Sequence, residues 1–170
     1  MMIRSLLLAG LFSAGLSAAA LAQSHPPHAQ PGELEVDPYT VSDANAGADP
    51  IEDADVFVAF GGEAGIARVV DGLLERVRED ERIEGIFRAS DWPRLRRTLI
   101  EQFCYILGGP CTYTGRDMAS VHRDHGITTR EFNALVENLQ DAMDAEGIPF
   151  ALQNRLLARL APMHRDVVTR

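Results

Sequence analysis

From residue 56 onward, hydrophobic positions recur at helical spacing, and no stretch alternates as a half-buried strand would. Ile66, Val69, Val70, Leu73, Leu74 and Val77 make one apolar stripe, with Arg68, Asp71, Glu75, Arg76 and Arg78 on the other face. Gly61-Gly62 breaks the chain just upstream. A second stripe, Leu95, Leu99, Phe103 and Ile106, follows "SDWPRL", where Ser90 or Asp91 can cap the helix and Pro93 suits its first turn. Gly108-Gly109-Pro110 ends it. Residues 110–117 read as a loop and Met118 to about His125 as a short helix. Thr128 and Glu131 have capping-box spacing and open a helix with Phe132, Leu135, Val136, Leu139 and Met143 on one side. "EGIPF" stops that helix, and Pro149 starts a last one with Leu156, Leu160, Met163 and Val167 inward. The predicted fold class is all-α, in one domain over residues 56–170.

The chain ahead of this domain has a different character. Residues 23–55 are rich in Pro, Ala and acid, contain no base and show no period, so a disordered acidic leader is expected there, with His25 and His28 solvated in it. Residues 1–22 combine Arg4, the apolar "LLLAGLFSAGLSAAALA" and an Ala-Leu-Ala site before Gln23. That is the pattern of a secretory signal peptide, so an exported protein, periplasmic or secreted, is expected. No later stretch is long and apolar enough to insert in a bilayer. Cleavage would remove one Arg and no acid, taking the formal charge from −9 to −10. Such a charge disfavours nucleic acid and anionic membranes as partners. All bases are Arg, which reads as composition bias. The two cysteines, Cys104 and Cys111, are separated by a turn-forming "YILGGP"; an oxidising compartment would favour a disulfide, and the alternative is a buried free thiol at Cys104.

His122 and His125 lie three apart in "RDMASVHRDHGI". Two imidazoles at that spacing can chelate, but zinc needs a further ligand, and Asp117 and Asp124 do not complete a set. Spacing alone therefore leaves ligand and surface roles both open.

Three longer stretches carry a resemblance: "FGGEAGIARVVDGLLERVREDERI", "GGPCTYTGRDMASVH" and "HGITTREFNALVENLQDAMDAEGIP". In this order, with the Phe of "IF" between the first two, the chain resembles the bacterial truncated haemoglobins of the first group. The resemblance implies a two-over-two helical sandwich around haem b, with His122 as the axial ligand of the iron. Its other ring nitrogen would donate to a backbone carbonyl that the sequence does not identify. Phe87 matches the phenylalanine that packs on the porphyrin, and Met118 a haem-wall position. Tyr113 and Arg116 match the loop beside the pocket, where Arg116 either pairs with a propionate or is a solvated charge. His125 is expected at the surface. So is His164, although it falls in a region where some relatives bond a haem vinyl group.

On the gas-binding side the chain departs from the family. Leu74 stands where a tyrosine is common, and Leu95 and Leu99 occupy two other often polar positions, with Thr98 between them. Arg97, Trp92 and Tyr105 are the remaining polar groups nearby. The resemblance thus implies a largely apolar pocket from which oxygen leaves quickly, while carbon monoxide and nitric oxide bind comparatively well. Reversible binding of O2, NO or CO is the leading expectation. The alternatives are nitric oxide dioxygenase-type or weak peroxidase chemistry on the same scaffold, and a haem-free helical interaction module. Peroxide cleavage lacks an evident acid–base group, and nitric oxide oxidation would need an electron donor, of which the sequence suggests none.

Overall fold

The computed structural model describes residues 29–170. The expected signal peptide, His25 and His28 lie outside the described residues. Eight α-helices follow one another: α1 (Ala54–Ala59), α2 (Gly62–Glu79), α3 (Glu84–Phe87), α4 (Trp92–Ile106), α5 (Met118–His122), α6 (Thr129–Ala145), α7 (Phe150–Leu160) and α8 (His164–Val167). Among the described residues there is no strand.

The long helices form where apolar stripes and stop signals coincide. In α2 the whole predicted stripe, Ile66 to Val77, is buried. Asp91 caps α4 by accepting from the Arg94 amide, and Pro93 lies in its first turn. Thr128 and Glu131 close a reciprocal capping box at the start of α6. Helix α2 packs against both α4 and α6, α6 continues onto α7, and α4 also meets α7. The result is a two-over-two helical sandwich with its core between the pairs.

Gly108 ends α4 in a left-handed conformation (φ 81°), and a Cβ there would lie 2.5 Å from the Ile51 carbonyl oxygen. The space is taken because the Ile51 amide donates to the Ile106 carbonyl at 2.8 Å, docking the chain ahead of α1 on the end of α4. Cys104 and Cys111 are disulfide-bonded, with Cα atoms 5.7 Å apart, tying the last turn of α4 to the loop that leads to α5.

The segment before α1 departs from the expected disorder. Residues 33–51 are held to the helices by a set of long-range contacts, followed by Ile51 and Ala46 in the core. The Glu33 side chain is only 1% exposed and pairs with Arg97 at 2.5 Å and Arg94 at 3.4 Å. The Leu34 amide donates to Asp91 (2.8 Å), the Tyr39 hydroxyl to the Thr114 carbonyl (2.8 Å), and Arg116 to the Asp37 carbonyl (3.0 Å). Asp43–Ala46 makes one 3-10 turn, capped by Ser42. The buried Gln102 of α4 donates to the Ala46 carbonyl at 2.8 Å. Periodicity cannot reveal such an arrangement, because these contacts are single polar anchors 50 or more residues apart in the chain. One of the anchors, Glu33, is a buried charge, which is costly unless paired.

Two measurements follow from this architecture. Reducing the disulfide releases an eight-residue loop and should lower the stability by about 2.5 kcal/mol in the chain-entropy model, read from urea unfolding of the oxidised and reduced chain. Glu33 has its carboxyl pKa held below the ordinary value of 4.5, chiefly by the hydrogen bond from Arg97. A depressed carboxylate pKa contributes stability that is present above the unfolded value and lost as pH falls through the folded one. Amide NMR signals of residues 34–40 should therefore move with an acid midpoint below 4.5, ahead of any change in α2 and α6.

Candidate functional site

Helix α5 has only five residues and could not persist alone. Asp117 caps it, accepting from the Ser120 amide at 2.9 Å and the Ser120 hydroxyl at 2.7 Å. Met118 anchors it in the core, beside Gln102. His122 lies in its last position. Nδ1 of that ring is 2.7 Å from the Met118 carbonyl oxygen. A carbonyl only accepts, so Nδ1 carries the proton and the neutral ring leaves a lone pair on Nε2. Burial holds the imidazole pKa below its ordinary value, which keeps the ring neutral at pH 7. Among the described residues Nε2 has no hydrogen-bond partner.

The His122 ring lines a cavity of about 130 Å³ between α4, α5 and α6. Its walls are chiefly apolar: Ile86 and Phe87 from α3, Leu95 from α4, Val121 from α5, and Phe132 and Leu135 from α6. Val121 is exposed and the others are half-buried. A second, polar cleft of about 620 Å³ shares Val121 and His125 with the slot. It is lined by Arg94 and Thr98 from α4, Tyr113 and Arg116 from the loop before α5, and residues 35–39 of the leading segment. The two spaces adjoin at Val121 and His125.

The residues singled out by sequence fall into three places. Phe87, Leu95 and His122 line the slot, while Thr98, Tyr113 and Arg116 line the polar cleft. Leu74 and Met118 are buried in the core and line neither space. Leu99 is half-buried against that core. Burial raises the Tyr113 phenol pKa, and its hydroxyl donates to the Arg116 carbonyl at 3.1 Å. His125 is exposed and touches both spaces at their junction. His164 packs edge-on to Phe132, ring centroids 5.0 Å apart, with Nε2 at 3.3 Å from the Thr129 hydroxyl.

Sequence reasoning did not single out Val121, Phe132 and Leu135 as wall residues. Phe132 and Leu135 were visible only as members of the α6 stripe, and the signal for Val121 was its place beside His122. Arg94 and Glu33 carried no signal at all.

The polar side chains near the slot are committed elsewhere. The Thr98 hydroxyl donates back to the Arg94 carbonyl at 2.9 Å. Arg97 is held by Glu33, Glu101 and Thr114. Trp92 lies under the Arg78 guanidinium, 4.1 Å from its ring centroid, and Tyr105 borders a separate cleft near Asp49 and Asp166. Among the described residues no group of three or more His, Cys, Asp or Glu side chains converges as a metal site, so the lone imidazole would need a ligand-bearing metal to come with its own donors.

Residues 55–169 match the family of bacterial-like globins. The chain is 34% identical over 118 residues to the group 1 truncated haemoglobin of Mycolicibacterium paratuberculosis, covering 69% of this chain and 87% of that one. It is 28% identical over 111 residues to the group 1 truncated haemoglobin of a Nostoc species, covering 65% and 94%. Its fold superposes on the truncated haemoglobin of Tetrahymena pyriformis in the Fe(III) form with a TM-score of 0.65, at 23% identity, covering 68% of this chain and 98% of that one. A family match over residues 55–169, joined to a truncated-globin fold, makes this chain a member of the bacterial-like globin family.

Proposed function

We propose that the chain is an exported haem protein that reversibly binds a diatomic gas, O2 or else NO or CO. The observation that carries this reading is the neutral His122 ring, its proton fixed on Nδ1 by the Met118 carbonyl and its free lone pair beside an apolar slot. The donor set fits haem b: the porphyrin supplies four nitrogens of its own, so one protein imidazole suffices and the opposite side stays open. His122 would hold the iron through Nε2. Phe87, Leu95, Val121 and Phe132 would cover the porphyrin faces. Burying on the order of 500 Å² of apolar porphyrin would contribute about 12 kcal/mol before costs, so the walls as well as the imidazole retain the group. When bound, haem supplies an iron centre for the gas.

The chain's own residues then set ligand preference. Leu95 lines the slot and presents no donor, and Thr98 and Arg97 are engaged as described above. A gas stabilised mainly by hydrogen bonding gains little here, whereas CO and NO lose little.

Export is part of the proposal. The Ala-Leu-Ala pattern of residues 20–22 supports a cleaved leader, and the Cys104–Cys111 bond fits an oxidising compartment.

Adding haemin to the purified chain should produce a Soret band. In His122→Ala that band should be shifted and weakened, with imidazole in the buffer restoring it. An unchanged spectrum in the variant would sink the ligand assignment. Oxygen dissociation, followed by stopped flow, should be fast, and Leu95→Gln should slow it by roughly tenfold, the worth of one charge-assisted or preorganised hydrogen bond. Mixing the oxygenated protein with nitric oxide separates reversible binding from a dioxygenase-type reaction.

A further inference from the structure

One side of α4 holds the loop that leads to His122. Arg97, Glu101 and Cys104 recur there at helical spacing, and residues 111–114 are laid against them. Glu101 accepts from the Thr114 amide at 2.9 Å and from its hydroxyl at 2.6 Å. Further ties come from the leading segment. Asp43 accepts from the Tyr113 amide (2.8 Å), Tyr39 donates to the Thr114 carbonyl (2.8 Å) and Asn45 to the Gly115 carbonyl (3.1 Å). Each of these is a single hydrogen bond of modest net worth, and the last three hold only while the leading segment is itself docked. The Cys104–Cys111 bond is the covalent clamp among them. Beyond it the loop runs into Asp117, the cap of α5, and so into His122.

The two sulfurs differ in access. Cys104 is fully buried, and a Cβ on Gly109 would lie 2.5 Å from the Phe57 ring and 2.7 Å from Cys104 Sγ, so α1 and the end of α4 roof that atom. Cys111 is half-buried. A thiol attacking at Cys111 would expel Cys104 as a thiolate into apolar surroundings, which burial disfavours. The bond is therefore made before α1 closes over α4, and it persists in the folded chain.

We infer that this disulfide is a maturation gate: oxidation fixes the loop and α5, and so prepares the chain to capture haem. This rests on the haem and export readings above. In the step, Cys104 and Cys111 give up two protons and two electrons as the S–S bond forms. The disulfide of a dithiol oxidoreductase takes up both and becomes two thiols. In a reducing cytosol the chain keeps its thiols, the loop and α5 stay loose, and His122 is not presented to the slot. Porphyrin capture is thereby confined to exported chain.

The test compares full chain refolded from urea with and without a phosphine reductant, which supplies no thiol to coordinate iron. Haemin affinity, from a Soret titration, should fall by roughly thirtyfold in the reduced chain, within the loop-closure effect of a ring this size, and reoxidation should restore it. Cys111→Ser, which keeps the buried Cys104, should bind haemin weakly with or without reductant. Before haemin is added, amide exchange at residues 112–122 should quicken on reduction while α2 and α6 keep their protection. Affinities of reduced and oxidised chain within about threefold of each other, or α2 and α6 losing protection together with α5, would overturn the gate and leave the haem reading intact. Oxidised chain that takes up no haemin overturns the haem reading and the gate with it.

Discussion

A single helical turn has to hold one imidazole steady at the edge of an apolar slot. Five residues cannot do so by their own hydrogen bonds, since forming a helix that short is unfavourable. Its rigidity is borrowed. Asp117 caps the turn, Met118 is sunk in the core, and the chain entering it is fixed by the disulfide and by Tyr113. The Met118 carbonyl then serves twice, as part of the turn and as the acceptor that sets the His122 tautomer.

The wall opposite is built on a different principle. Helix α4 carries two kinds of residue near the slot: Leu95, which lines it, and polar groups whose bonds run to other partners. Arg97 is pulled outward by two carboxylates, and Gln102 spends its amide on Ala46. The apolar character of the slot is thus a consequence of where the polar partners sit, as much as of the leucines themselves. A buried polar side chain left free would have been expensive, so each partner that removes one from the slot also stabilises the fold.

The leading segment joins these two halves. Glu33 reaches α4, Tyr39 and Asp37 reach the loop before α5, and Ala46 accepts from Gln102 between them. One stretch, irregular but for a 3-10 turn, therefore contacts both α4 and the loop before α5.

The sequence by itself determined the helices. Apolar stripes in α2, α4 and α6 are legible because each helix buries one face, and burial imposes a 3.6-residue period on composition. Caps and stops such as Asp91, Thr128–Glu131 and Gly108 are legible because the chemistry is local. His122 stood out through the motif around it, and spacing alone left its role open. Only the tertiary structure decided the ordering of residues 33–51, the assignment of Leu74 and Met118 to the core instead of the slot, and the acceptor for His122. Those depend on groups far apart in the chain meeting one at a time, and a pairing of that kind leaves no period or composition for a sequence to show.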